Sequence, residues 1–167
     1  YHRAFPAGGG TRIKTVRPEG LPGDDWRLWV NEVDEDFVNT MGIEIIKGEN
    51  FTPGKGNPHK GWTREFLLNE SAVKLFGWEN PIGKQITRLD GGGGAGTVVG
   101  VFKDYHFDSL KEKIAPLAFI QWVRLYAYLT LKIKGGQFAE TMSFIEKQWQ
   151  TFVPNAAFTP IFMDDGL

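Results

Sequence analysis

The sequence predicts an α+β fold, in which two similar strand–helix–strand units near residues 26–46 and 126–163 flank a block richer in strands. Three observations predict it: short segments with alternating apolar residues, short helices with capping residues at both ends, and one longer helix with a single apolar stripe. No residue-level repeat relates the two outer units.

The first elements are two strands. The alternating segment Thr11–Arg17, within the Gly- and Pro-rich residues 1–24, is typical of an edge strand. Trp26, Leu28 and Val30 share one face of the next strand, because successive side chains of a strand point to opposite sides.

A short helix follows, with a signal at each end. Asp34 is predicted to cap its first turn, and Gly42 is predicted to end it in the left-handed conformation. The segment Gly42–Ile46 then resumes extended structure. The apolar side of this helix consists of Phe37, Val38 and Met41.

The central block begins after a polar connection at residues 47–64. Phe66–Leu68 is predicted as a strand, Asn69 caps the helix Glu70–Phe76, and Gly77 ends it. The later elements are a turn at Pro81–Gly83, a strand at Gln85–Arg88, a flexible tip at Gly91–Gly94, a buried strand at Thr97–Lys103 and a short helix at Asp108–Lys113.

The last third predicts a strand at Tyr126–Ile133, a helix from about Gln137 to Val153, and a final strand at Ala157–Met163. A helix with one apolar face needs a sheet to cover it, so these elements are expected to form a packed layer. The stripe consists of Phe138, Met142, Ile145, Trp149 and Phe152.

Composition excludes several classes of function. Thirteen Phe and six Trp provide for a substantial core, and 19 basic against 20 acidic residues leave a formal charge of −1, which argues against nucleic-acid binding. The absence of cysteine excludes disulfides, thiolate metal sites and cysteine nucleophiles.

The chain starts at Tyr1 without a targeting segment, and no apolar run approaches the roughly 20 residues that cross a bilayer. We therefore expect an excised fragment whose membrane anchor lies elsewhere.

The strongest candidate for a metal or proton-transfer site is the alternating set Asp104, His106 and Asp108. Their side chains would lie on the same face of an extended segment. Two carboxylates and an imidazole could bind a divalent metal or share protons. The alternative is a solvated strand end that leads into a helix with Asp108 as N-cap, and the Asp-Ser-Leu sequence favours this capping role.

The remaining candidates lack the pattern their chemistry needs. The run Gly91–Gly94 precedes a strand rather than a helix, and Gly83-Lys84 lacks the glycine spacing of a phosphate-binding loop. No serine has a nucleophile-elbow context, and no two histidines have metal-ligand spacing. We predict no catalytic, cofactor-binding or metal-binding residue. Trp29, Trp62 and Trp78 fit core packing least well and are candidates for a contact surface.

Three blocks of sequence resemble the extracytoplasmic (periplasmic core) domain of MacB/FtsX-type ABC transporter permeases. They are VDEDFVNTMGIEIIKGENF at residues 33–51, LLNESAVKLFG at 67–77 followed by PIGKQI at 81–86, and VVGVFKDYHFDSL at 98–110. The blocks occur in the family's order over roughly residues 30–120, in a style similar to Bacteroidetes-type permeases. Gly48-Glu49 replaces the more usual Gly-Arg, which we expect to be harmless.

The resemblance implies a two-lobed periplasmic domain of an inner-membrane protein, with the transmembrane helices outside this fragment. Residues 1–48 and 124–167 would form a porter-like lobe, and residues 49–123 an inserted β-rich lobe, in one core domain fragment over 1–167. It further implies a non-catalytic role without cofactor, in which the domain transmits conformational change or contacts partners during export. The implied partners are a cytoplasmic ABC ATPase, a second permease domain or second copy, and a periplasmic protein.

Two other functions stay open at this point. One is a periplasmic ligand-binding module that holds a peptide, lipid or sugar between the lobes. The other is a metal-dependent hydrolase centred on His106, which predicts that divalent ions raise the melting temperature and that His106→Ala abolishes activity.

Overall fold

The computed structural model describes residues 12–23, 26–55, 64–89, 94–105, 113–121, 129–133 and 135–162. The chain divides into two compact units, one within Tyr1–Thr130 and one within Leu131–Leu167. Each unit is described by itself.

The first unit contains strands and two short helices. In chain order the elements are β1 (Arg12–Pro18), β2 (Trp26–Val33), α1 (Phe37–Met41), β3 (Ile45–Gly48), β4 (Arg64–Asn69), α2 (Glu70–Phe76), β5 (Gln85–Arg88), β6 (Gly94–Phe102) and β7 (Leu117–Gln121).

The strands form one mixed sheet that closes into a six-stranded barrel. The sheet order is β3-β6-β4-β7-β2-β1-β5, and a further pairing of β5 with β6 closes the ring, with β3 attached outside it on β6. The pairs β2–β7 and β4–β6 are parallel and the others are antiparallel. The barrel takes strands from both sides of residue 48, so the sheet is continuous across the lobe boundary expected there.

The barrel interior is filled by alternate residues of the strands. Phe66 and Leu68 of β4 are fully buried and belong to the central cluster, which helix α2 extends through Ala72 and Phe76 at one end of the barrel. The strands contribute the other members of this cluster, which are Val16, Leu28, Val30, Ile86, Val98, Ala118 and Ile120.

A second apolar layer lies on the outer face of β4, β6 and β7. The rings of Phe102 and Phe119 stack with centroids 4.5 Å apart, and Phe37 of α1 meets Phe119 edge-on at 5.2 Å. Because α1 supplies Phe37 and Val38 to this layer, β4 is buried on both faces.

Helix α2 has the bounds and the caps that the sequence predicts. The Asn69 side chain accepts a hydrogen bond from the Ala72 amide at 2.9 Å, and Gly77 ends the helix with φ +63°. The same Asn69 oxygen also accepts from the Leu117 amide at 2.8 Å, and its nitrogen donates to the Ala115 carbonyl at 2.9 Å. One residue thus caps the helix and fixes the start of β7.

Two local predictions for the first strands and helix are wrong. The strand at residues 12–18 is no edge strand, because β1 pairs with β2 on one side and β5 on the other. Asp34 does not cap α1: the residue at the N-cap position is Asp36, and Asp34 accepts a hydrogen bond from the Asp36 amide in the turn before the helix. Gly42 ends α1 as predicted, with φ +69°.

The second unit contains helix α3 (Phe138–Phe152), as the apolar stripe predicts. The flanking strands were predicted wrongly: residues 129–133 and 157–162 form no strand, and the rest of those predictions lies outside the described residues. No residue of α3 is buried, although Phe138 contacts Phe162 and Trp149 contacts Phe158. A sheet layer over this helix is therefore absent from the described part of the chain.

Gly100 of β6 lies against Leu67 of β4 and against Glu49, the residue after β3, and we expect Gly100→Ala to destabilise the barrel by about 2 kcal/mol. A Cβ on Gly100 would collide with the Glu49 carbonyl oxygen and would lie 2.8 Å from the Leu67 side chain, so the backbone at Glu49 would have to move. Gly135→Ala is the matched control, since a Cβ there meets nothing within 4 Å. Urea denaturation followed by circular dichroism measures the difference, and equal unfolding curves for wild type and Gly100→Ala would contradict it.

Candidate functional site

The predicted candidate Asp104 has a structural role. Its carboxylate accepts hydrogen bonds from the Ser71 amide at 3.1 Å and the Ser71 hydroxyl at 2.7 Å, and its own amide donates to the Glu70 carboxylate. Both carboxylates lie at the start of α2, where the helix dipole favours negative charge. Asp104 therefore joins the end of β6 to the first turn of α2.

His106 and Asp108, the other two members of that set, lie outside the described residues. Within the ranges that the structure does describe, no group of three or more metal-ligating side chains occurs. The three histidines of the chain and the tip Gly91–Gly93 also lie outside these ranges, whereas Gly94, predicted as part of the tip, is the first residue of β6.

The other predicted positions take part in packing or surface pairing. Lys84 pairs with Glu19 at 3.4 Å next to the turn at Gly83, and this turn is followed by a strand, which excludes a phosphate loop of the helix-opening kind. Trp78 packs on Phe76 at 4.8 Å against the barrel core, and Trp29 is partly buried on β2. Trp62 lies outside the described residues.

The end of the barrel opposite α2 carries buried charge. Arg64 begins β4 two residues before the core residue Phe66, and Arg88 ends β5 two residues after the core residue Ile86, so both point inward. They are only 5% and 4% exposed. Arg88 forms an ion pair with Glu32 of β2 at 3.0 Å.

Glycines of β6 make room for this charged end. Arg64 donates to the Gly94 carbonyl at 3.0 Å, and a Cβ on Gly94 or Gly96 would collide with the Arg64 side chain. Burial is the largest cause that lowers the pKa of the Arg64 guanidinium, and the positive charge of nearby Arg88 is the second. The negative charge of Glu32 opposes both. Arg64, Arg88 and Glu32 therefore close this end of the barrel with charged side chains instead of apolar ones.

Two further carboxylates hold the segment Phe51–Lys55 against the outer face of the barrel. Glu65 of β4 is buried and accepts from the Thr52 amide at 2.7 Å and the Thr52 hydroxyl at 2.9 Å, and it pairs with Lys55 at 3.0 Å. Glu35 accepts from the Gly54 amide and from the Gln121 side chain at 2.8 Å. Glu65 and Glu35 therefore hold the Phe51–Lys55 loop in place.

Arg64, Arg88, Glu35 and Glu65 were not predicted as functional residues from the sequence. The signal for the arginines is present, since each lies two residues from a core residue on the inward side of a strand. The two glutamates carry no such signal, because their hydrogen-bond partners lie on other elements and are brought near by the closed sheet.

Burial raises the pKa of Tyr105, and we expect this to reduce stability at alkaline pH. The folded protein keeps a proton that the unfolded chain releases at about pH 10, so the contribution of Tyr105 is fully present below that pH. Above it, the free energy of unfolding should fall by up to about 1.4 kcal/mol per pH unit.

The measurement is urea denaturation of wild type and Tyr105→Phe from about pH 8 to about pH 11, across the titration of an unperturbed tyrosine. Tyr105→Phe should remove most of this extra slope. Parallel pH profiles for the two proteins would show that Tyr105 does not keep its proton on folding.

Among the residues that the structure describes, no helix combines the length and the hydropathy of a membrane span. No protein-family model matches the chain. No curated protein matches it either.

Solved structures match the fold at low sequence identity. A domain of a protein described as a permease, from Porphyromonas gingivalis, matches with a TM-score of 0.59 and 15% identity, over 92% of this chain and 76% of that domain. The periplasmic region of MacB from Actinobacillus actinomycetemcomitans matches with a TM-score of 0.53 and 14% identity, over 88% of this chain and 65% of that region.

A third match is the extracellular domain of the noncanonic ABC-type transporter YknZ from Gram-positive bacteria, with a TM-score of 0.49 and 18% identity. It covers 70% of this chain, and the chain spans only 53% of that domain. The first two matches show that this chain has an α+β fold with a mixed barrel similar to that of the MacB periplasmic region.

Proposed function

We propose that this chain is an extracytoplasmic domain of an ABC transporter permease, and that it works by transmitting movement and contacting partners during export. The observation that carries the proposal is the mixed barrel, which the chain shares with the periplasmic region of MacB at a TM-score of 0.53. The three sequence blocks at residues 33–51, 67–77 with 81–86, and 98–110 resemble the same family independently of the fold.

The placement of the polar side chains supports a non-catalytic role. Glu65, Glu35 and Asp104 each accept two or more hydrogen bonds that hold a loop or a helix end in place. Carboxylates so engaged are poor general acids and bases, because proton transfer would break the contacts that position them. We infer that the described polar groups give the barrel rigidity.

A rigid barrel suits a domain that transmits movement generated elsewhere. ATP hydrolysis would take place in a cytoplasmic ATPase subunit, and the parent permease would convey the movement to this domain and to a periplasmic partner or second permease domain. The division into a lobe of residues 1–48 and 124–167 and a lobe of residues 49–123 stays a prediction. Limited proteolysis tests it: two lobes predict a resistant fragment of residues 49–123 that separates from residues 1–48 after cleavage, whereas the continuous sheet predicts that the two fragments stay together.

The experiment uses the parent permease, purified from membranes with its associated proteins and reconstituted in vesicles. We expect an ABC ATPase subunit to co-purify. A donor fluorophore on Lys103→Cys, whose native side chain is exposed, should change its energy transfer to acceptor lipids when ATP binds. Vesicles without the ATPase subunit are the control. Equal energy transfer in the nucleotide-free and ATP-bound states would overturn the mechanical role.

A further inference from the structure

The strands place five charged side chains on their inward side at the barrel end opposite α2, and these residues, which are Arg12, Lys14, Glu32, Arg64 and Arg88, make up the charged barrel end. Each lies two or four positions from a core residue of the same strand, so the alternation of the strand turns it inward. Four of the five are basic, whereas the whole chain has a formal charge of −1. Positive charge is therefore concentrated at this end of the barrel.

Two of the basic side chains are fixed in position. Arg64 and Arg88 are almost fully buried, and each has a named partner: Arg64 donates to the Gly94 carbonyl at 3.0 Å, and Arg88 pairs with Glu32 at 3.0 Å. The planar guanidinium group matches the geometry of a carboxylate. A guanidinium that is already held in place loses little conformational freedom when it binds such a group.

The charges at this end attract a further negative group. Burial is the main cause of the lowered pKa of Arg64, the positive charge of Arg88 adds to it, and Glu32 acts in the opposite direction. One carboxylate, that of Glu32, thus lies beside two buried guanidinium groups. A second carboxylate would balance the two positive charges, and the attraction is stronger here than in bulk water because the surroundings are partly shielded from solvent.

Solvent reaches the charged barrel end, but the space inside the barrel is small. The Glu32 side chain is 38% exposed, and Arg12 lies exposed at the start of β1. Barrels of about eight strands have an interior just wide enough for side chains, so a barrel of six strands accepts no group larger than one side chain. The carboxylate of an aspartate or glutamate is small enough, whereas a sugar or a nucleotide is not.

We propose that the charged barrel end is an interaction surface for a partner protein, which inserts an aspartate or glutamate side chain from an exposed acidic loop. The inserted carboxylate and Glu32 together balance Arg64 and Arg88, while Arg12 and Lys14 attract further acidic residues of that loop. The inference rests on the charged residues of the barrel strands and does not depend on the transport role.

The test measures binding of fluorescein-labelled hexaglutamate to the 167-residue chain by fluorescence anisotropy, with labelled hexaglutamine for comparison. We expect hexaglutamate alone to bind, and its affinity to fall as the salt concentration rises. Lys14→Gln should weaken binding about threefold, and Arg88→Gln about tenfold or more. The control is Lys103→Gln, an exposed lysine next to the other end of β6, which should change the affinity by less than about twofold.

Circular dichroism checks that each variant is folded, and Lys14→Gln decides the outcome where Arg88→Gln does not fold. Equal binding of the two peptides would overturn the inference, and equal losses in Lys14→Gln and Lys103→Gln would assign binding to the general charge of the protein. Displacement of hexaglutamate by millimolar inorganic phosphate at constant ionic strength would show that the site takes a free oxyanion instead. Binding to Asp90→Asn but not to wild type would show that an acidic residue of this chain already occupies the site.

Discussion

Phe119→Ala should destabilise the barrel unit by about 3–5 kcal/mol. The Phe119 ring is fully buried, stacks on Phe102 with nearly parallel planes 4° apart, and is met edge-on by Phe37. Truncation removes both ring contacts and leaves a cavity between the sheet and α1. Since small domains have a total stability of about 5–15 kcal/mol, this loss would move the unfolding midpoint strongly.

Phe152→Ala provides the matched control, because that ring is 79% exposed and its loss should change the unfolding free energy by less than about 0.5 kcal/mol. Phe119→Leu should retain most of the stability, since leucine fills more of the space left by the ring than alanine does. Both are measured by urea denaturation, with the amide exchange of β7 as a probe of the barrel unit alone. A loss below about 1 kcal/mol for Phe119→Ala would contradict the described packing.

Asn69→Ala should have the second largest effect, a loss of about 3 kcal/mol. The side chain is buried and forms three hydrogen bonds, to the Ala72 amide, the Leu117 amide and the Ala115 carbonyl. Alanine removes the helix cap, which contributes about 1 kcal/mol, and leaves the Leu117 and Ala115 backbone groups without this partner inside the protein.

Asn69→Asp separates the two functions of this residue. The aspartate keeps an acceptor for both amides but meets the Ala115 carbonyl with an oxygen in place of a donor, so its stability should lie between wild type and Asn69→Ala. Exposed Asn80→Ala is the control and should be close to neutral. Amide exchange in α2 and at Leu117 should accelerate together in Asn69→Ala. Faster exchange in α2 alone would show that Asn69 does not link the helix to β7.

Helix α2 could be predicted to the residue, because its signals are local. Asn69 and Gly77 fix its ends through bonds to residues within one turn. The stripe of α3 was equally informative about helix position, and the observed Phe138–Phe152 lies within the predicted range. End signals were sufficient for α2, and periodicity was sufficient for α3.

The pairing of strands could not be predicted in the same way. Thr11–Arg17 has the pattern of an edge strand, yet β1 lies between β2 and β5 because the sheet closes on itself. Closure depends on the β5–β6 pairing, which no local pattern of β1 encodes. The strands expected beside α3 fail for a related reason: a strand needs a partner, and residues 129–133 and 157–162 have none among the described residues.

The partners of the polar side chains likewise depend on long-range contacts that local sequence does not show. Asp104 stood out because it alternates with His106 and Asp108, but its partner Ser71 lies 33 positions away in sequence. The ion pair of Arg88 with Glu32 joins strands 56 positions apart. Sequence patterns therefore singled out Asp104 but not Glu35 or Glu65, and the closed barrel determined the hydrogen-bond partners of all three.

The central claim is that this domain lies outside the cytoplasmic membrane as part of a permease, and labelling of intact cells tests it most directly. The natural chain has no cysteine, so Lys103→Cys in the full-length protein introduces the one reactive thiol of this domain at an exposed position. Ala118→Cys, fully buried, is the control and should stay unlabelled in folded protein. A membrane-impermeant maleimide should label residue 103 in cells whose outer membrane alone has been permeabilised. Labelling of residue 103 only after lysis of the inner membrane would contradict the account.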